Sequence, residues 1–314
     1  MTFTINLTGI PGGNPLGFLA AVGSLSAATR AFAQASAKLG WFQQDAGWVP
    51  QLHFTDDISP AKLVNGLHIE LAALSENTAL ALADDLAIGN YAFRKAAESA
   101  ARADNLADRT VTDYLCAFGS DAIQAKAGGK PTGVIADTAF RTMSGSGHQH
   151  FLGSMRTFAR DTAEEHLQAA LFESWRYDDP VEKHTMRWDP IDDVRYALRW
   201  RNPSGDPVRK SGGSVWGANL LAIEGLRLFP TAPFRDSLCT TGFTQWRGSG
   251  TYWTWPIWRS PVGLDTVRSL VALKELQQER PDREALRGRG IAEVYRSQRI
   301  TQGKFRNFGH ATPV

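Results

Sequence analysis

A chain of 314 residues, 43% hydrophobic and 21% charged, can bury a core for one large domain or two ordinary ones, which excludes a disordered chain. Its only cysteines, Cys116 and Cys239, exclude a disulfide scaffold or a cysteine zinc site and point to a reduced, cytoplasmic protein. The formal charge of +2 hides a gradient: residues 195–314 hold 19 Lys+Arg against 9 Asp+Glu, whereas 1–140 hold 9 against 13 and 141–194 hold 6 against 10.

The N-terminal TFTINLTGI alternates as a strand does. Pro11-Gly12-Gly13 forces a turn, Asn14 suits a helix cap, and Pro15 suits the first helical position. Leu16, Leu19, Val22, Leu25 and Ala28 then recur at helical spacing. Gly17 and Gly23 interrupt that helix at a cost in propensity, and so predict close approach of another backbone. No basic segment precedes Arg30, so no secretory leader is expected. The small-residue run 16–28 is too short and too Gly/Ser-rich for a bilayer, so no membrane contact is expected either.

Further along, residues 48–54 read as a strand. Ser59-Pro60 opens a helix running through LVNGLHIELAALSENTALALADDLA with a break near Gly66 or Asn77, and another helix is expected over 111–126. AGGKPTG (127–133) reads as a loop, GVIADTAFRT as a strand and SGSGHQH as a loop. Thr162 to Glu165 suggests a capping box for a helix ending near Trp175.

The second half is rich in Trp and Arg: eight of the ten tryptophans lie between Trp175 and Trp258. HTMRWDP and VRYALRWRNP read as two strands, VWGANLLAIEGLRLF as a helix capped by Ser214, and SLCTTGFTQW with TYWTWPIW as a hairpin. LDTVRSLVALKEL reads as an amphipathic helix, and IAEVYRSQRIT as strand or helix. This order is neither regular βαβ nor all-helical. The expected fold class is α+β, with a mainly helical, Ala-rich region over 1–140 and a basic, aromatic-rich α+β region over 141–314, or both within one domain.

Signals for catalysis are weak. GGKPTG lacks the first glycine and the Lys-Ser/Thr ending of a phosphate loop, and Gly288-Arg289-Gly290 is too short for a dinucleotide fingerprint. His148 and His150 are the one close histidine pair. They could share a metal if on a strand, with His166 as a third ligand, or they could make polar contacts only. Helix N-terminal amides with a histidine and Arg141 could instead meet a phosphate. Asp178-Asp179 and Asp192-Asp193 read as caps or ion-pair partners. No active site is legible and no cofactor is expected.

Binding signals are stronger. In VRYALRWR, alternation puts Arg195, Arg199 and Arg201 on one face and Tyr196, Leu198 and Trp200 on the other. Arg187, Arg209 and Lys210 flank this segment. The ending YRSQRITQGKFRNFG adds Arg296, Arg299, Lys304 and Arg306 among Tyr295, Phe305 and Phe308, with the phenylalanines read as core. Such cations attract phosphates through charge and counterion release. The competing readings are a solvated sheet face, a module docking an acidic partner protein, and a metal-dependent nuclease using His148 and His150.

GGNPLGFLAAVGSL, GHQHFLGSMR, RWDPIDDVRYALRWRNPS, VWGANLLAIEGL and YRSQRITQGKFRNF together resemble proteins of type I CRISPR–Cas loci, the branch called I-U or I-G. The resemblance implies a small version of the large subunit of the guide-RNA surveillance complex (Cascade), or an accessory of its helicase-nuclease. It implies nucleic-acid binding without cleavage, with guide RNA, target DNA, other effector subunits and the helicase-nuclease as partners.

Overall fold

Asn14 starts the central helix as its sequence suggests. Its side-chain oxygen accepts from the amides of Leu16 (2.8 Å) and Gly17 (3.3 Å), and Pro15 occupies the first turn of α1 (Pro15–Ala31). The computed structural model describes residues 2–45, 47–103, 109–142, 150–179, 185–191, 214–246, 248–302 and 305–314. Among them, α1 is buried through its first fourteen residues.

Two antiparallel sheets flank this helix. The first, in spatial order β1-β3-β2, joins β1 (Phe3–Asn6), β2 (Lys38–Gln44) and β3 (Gly47–Phe54). Then come α2 (Pro60–Ala72), capped by Ser59, α3 (Asn90–Ala103) and α4 (Thr110–Phe118). The helix expected to run to 126 ends eight residues early, because Gly119 begins β4 (Gly119–Ala127). This strand pairs with β5 (Lys130–Asp137). Gly128 and Gly129, at φ 57° and 79°, make the tight turn that the sequence reading took for a longer loop.

Next are α5 (Phe151–Asp161), α6 (Glu164–Phe172) and α7 (Trp216–Gly225). Two expected caps are replaced. The Ala163 amide donates to His166 Nδ1 at 2.9 Å, and the Trp216 amide donates to the Asp179 carboxylate rather than being capped by Ser214. No strand forms over 185–190, so HTMRWDP is corrected there; VRYALRWRNP lies outside the described residues.

The second sheet has the order β11-β10-β9-β8, with β12 added on β10. Its strands are β8 (Phe243–Trp246), β9 (Gly250–Trp258), β10 (Ile291–Gln302), β11 (Phe305–Phe308) and β12 (Thr312–Pro313). The separate hairpin of β6 (Thr231–Phe234) with β7 (Ser237–Thr240) takes the SLCT half of the expected SLCTTGFTQW strand. Between β9 and β10 lie α8 (Leu264–Val271) and the short α9 (Arg283–Gly288). The fold is α+β.

One cluster of buried residues runs from Ile5 to Phe308, drawing on both sides of position 140. At its centre Phe18 of α1 meets Trp41 of the first sheet and Trp253, Trp255 and Trp258 of the second, with ring centroids 5.8–6.4 Å apart. Two of the four indoles are also tied to backbone: Trp255 Nε1 donates to Gly12 O at 3.1 Å and Trp258 Nε1 to Leu39 O at 2.8 Å. Helices α1 and α7 pack backbone to backbone. A methyl group at Gly23 would collide with the Leu221 carbonyl, and one at Gly225 with that of Leu19. The interrupting glycine of α1 is there for that approach.

Candidate nucleic-acid interface

β10 divides the cations of the chain's end between its two faces, because successive side chains of a strand point opposite ways. Arg296 lies on the face opposite the one that carries Phe308, is covered there by residues 276–279, and is 7% exposed. Its Nε donates to Thr254 Oγ1 at 3.0 Å, Nη1 to Glu279 O at 2.8 Å, and Nη2 to Gln278 O at 2.6 Å and Leu276 O at 3.2 Å. Its guanidinium also lies 4.4 Å from the centre of the Trp246 ring. Arg296 therefore clamps residues 276–279 onto the sheet, and the expectation that it contacts phosphate is corrected: it is buried, with Nε, Nη1 and Nη2 engaged by the Thr254 hydroxyl and three carbonyls.

Arg299 occupies the other face. It stands opposite Phe308 in the β10–β11 register, and Arg306 stands opposite Thr301, so Arg299 and Arg306 are diagonal neighbours on one face. Phe308 is core, as expected, against Phe140, Phe243 and Trp253. Arg299 Nη2 donates to the Arg141 carbonyl at 3.0 Å, while its Nε is enclosed without any partner. No carboxylate pairs with Arg299 or Arg306 among the described residues. Burial, reinforced by the charges of Arg306 and Arg141 and partly opposed by Asp137, lowers the Arg299 pKa to about 10.

Arg141 sits just past β5 and is held by two carboxylates, Asp85 at 2.5 Å and Asp137. Burial works against its charge, but Asp137 and Asp85 prevail and raise its pKa. The arrangement gathers three guanidiniums, one of them buried without a counter-charge, which suits it to hold an anion.

The other expected residues fall elsewhere. Arg195, Arg199, Arg201, Arg209, Lys210, Lys304 and His148 lie outside the described residues. Arg187 has a left-handed backbone, φ 56°, and its amide donates to Thr185 Oγ1 at 3.0 Å. His150 is half-buried at the N-cap of α5, with no cap bond from its side chain. His166, the suggested third metal ligand, is engaged in capping α6. Among the described residues, no group of three His, Cys, Asp or Glu side chains is placed to hold a metal.

Part of the C-terminal positive charge is answered inside the molecule. Arg227 and Arg268 both reach Asp113, at 3.6 and 2.7 Å, and Arg227 also pairs with Glu224 at 3.1 Å. Arg283 pairs with Glu293, Arg289 with Glu275, and Arg259 lies over the Trp48 ring. Arg227, Arg268, Arg283 and Arg289 are thus neutralised, whereas Arg299 and Arg306, like Arg235, Arg259, Arg280, Arg287 and Arg296, have no carboxylate partner among the described residues. In sequence Arg141 neighbours only the histidine loop; its contact with Arg299 spans 158 positions, and no local pattern signals it.

The fold and this site define an α+β protein carrying an under-neutralised arginine cluster on one sheet face. The chain matches no family model, no curated protein and no solved structure. No helix among the described residues is long and apolar enough to cross a membrane.

Proposed function

We propose that this chain is a non-catalytic nucleic-acid-binding subunit of a type I CRISPR RNA-guided DNA surveillance complex. In this reading it contacts the backbone of target DNA or guide RNA through cations of its C-terminal third. The observation carrying the binding half is the pair Arg299 and Arg306, which share one sheet face without a carboxylate partner among the described residues. Phosphate oxygens would supply the missing charge, and such contacts fix a protein on a nucleic acid without reading its sequence.

The assignment to a CRISPR complex is supported by the sequence resemblance. Two of the stretches that carry it, GGNPLGFLAAVGSL and VWGANLLAIEGL, form the close-packed pair α1 and α7. That part of the resemblance therefore bears on packing, whereas the arginines bear on the activity.

Gel shifts of the whole chain with single-stranded DNA, duplex DNA and a guide-bound target, at two salt concentrations, test the binding half. Binding that weakens with salt is expected, and Arg299→Met with Arg306→Gln should weaken it further. Co-expression with the products of neighbouring genes tests the other half: a stable complex containing guide RNA is expected. Strand cleavage abolished by a chelator would instead favour the nuclease reading.

A further inference from the structure

The charges around Arg299 amount to a small ledger. Three guanidiniums, of Arg141, Arg299 and Arg306, face two carboxylates, of Asp85 and Asp137. One positive charge is left over among the described residues. It is held where burial makes an unpaired charge expensive, since the Arg299 Nε is enclosed and has no partner. Arg299 Nη2 is fixed on the Arg141 carbonyl, which leaves Nη1 with no protein partner among the described residues. Arg306, diagonal to it on the same face, makes no ion pair among them.

We propose that Arg299 and Arg306 form a subsite for one internal phosphodiester, with Arg141, anchored by Asp85 and Asp137, as the positioning residue. This rests on the nucleic-acid reading above and adds which phosphate the site takes. A phosphodiester carries a single negative charge and neutralises the single surplus positive charge. A terminal phosphomonoester carries about −1.5 to −2 near neutral pH, its second pKa being about 6. Among the described residues its second charge would find no further cation to pair with, and it would face Asp137 across the cluster. The subsite thus favours the interior of a strand over a strand end, a free nucleotide or inorganic phosphate. The guanidinium fork matters as well as its charge, because two parallel N–H donors match two phosphate oxygens.

The test is competition against a labelled thymidine dodecamer without terminal phosphates, bound to the full-length chain at fixed ionic strength. The competitors are the dinucleotide TpT, thymidine 5′-monophosphate and inorganic phosphate. Near neutral pH, TpT should displace the dodecamer at several-fold lower concentration than either monoester. At about pH 5, below the second phosphate pKa of about 6, that preference should shrink. Arg299→Met should remove the preference, and Arg299→Lys should restore it only in part. Asp137→Asn, or Asp85→Asn if the former fails to fold, leaves a second surplus positive charge and should shift preference towards the monoesters. A carboxylate that served structure alone would not move that ratio.

Dodecamer binding with monoesters competing as well as TpT would overturn the subsite and leave the nucleic-acid reading standing. A folded chain that binds no dodecamer, duplex or guide-bound target at low salt would overturn both.

Discussion

Glu224 and Arg30 are paired at 2.7 Å in the interior, where the glutamate side chain is wholly shielded from solvent. Ser26 Oγ donates to the same carboxylate at 2.6 Å, Tyr114 OH at 3.3 Å, and Arg227 lies at 3.1 Å. Burial alone would push the Glu224 pKa up, but Arg227 and Arg30 outweigh it and hold it below 4.5. The unfolded chain therefore takes up this proton near 4.5 while the folded chain resists it. The stabilisation is complete above that pH and is lost as pH falls below it, through the lower folded value. Glu224→Gln should cost about 3–5 kcal/mol at neutral pH, because it removes the buried counter-charge between Arg30 and Arg227 and leaves them only Glu70 and Asp113. It should also flatten the acid limb of the stability curve, measured by urea unfolding from neutral to strongly acidic pH. An unchanged acid slope would contradict this role.

Gly23 and Leu221 set the distance between α1 and α7. Alanine is the better helix former by about 1 kcal/mol, so a free surface glycine would gain from the change. Here the added methyl group meets a backbone carbonyl, and Gly23→Ala should instead lower stability by about 1–3 kcal/mol in thermal or chemical unfolding. A variant as stable as the parent would show that the helices can separate without loss.

Arg296 offers a control for the binding account. Arg296→Met removes its bonds to Thr254, Leu276, Gln278 and Glu279 and leaves carbonyls unpaired. A loss of about 2–3 kcal/mol is expected. Affinity for nucleic acid in the folded variant should keep its salt dependence. A reduced salt slope would return Arg296 to the phosphate-contacting set.

Arg299 should behave oppositely. Replacing an unpaired, largely buried cation by an apolar side chain of similar length is expected to stabilise the protein by about 1–3 kcal/mol. Arg299→Met should therefore raise the melting temperature while weakening binding. A destabilised variant would mean that the guanidinium is a structural clamp like that of Arg296.

What the sequence made legible was local. The Asn14 cap and the Pro15 start of α1 depend on residues within one turn, and Gly17, which faces the Pro11 carbonyl, and Gly23, which faces that of Leu221, announce close approach by their lack of a side chain. The strand 48–54 and the opening of α2 at Ser59 were legible for the same reason. α3 was passed over because its buried contribution is only Phe93 and Ala100, too sparse for a clear apolar period. β2 went unread as well, although Leu39, Gly40 and Trp41 are buried in a row, because a continuous apolar run lacks the alternation of a half-exposed strand.

The site was half legible. Its cations stand out in the last stretch, but IAEVYRSQRIT left strand and helix open, and only a strand separates Arg296 from Arg299 by parity. The two arginines look equivalent in sequence, and neither has a carboxylate partner among the described residues, yet Arg296 is engaged by a hydroxyl and three carbonyls while Arg299 keeps an enclosed Nε without a partner. That difference depends on residues 276–279, Thr254 and Arg141, which the chain brings together from afar.

The most direct test of the central claim is the salt dependence of single-strand binding for the parent chain and for the Arg299→Met, Arg306→Gln double variant. Because the two arginines share one phosphate in this account, the slope of log K against log salt should become shallower by about 0.7, the contribution of one phosphate on a single strand. Affinity should fall by a similar factor for every sequence tested. A double variant that is folded, binds as tightly as the parent and keeps the same slope would contradict the claim.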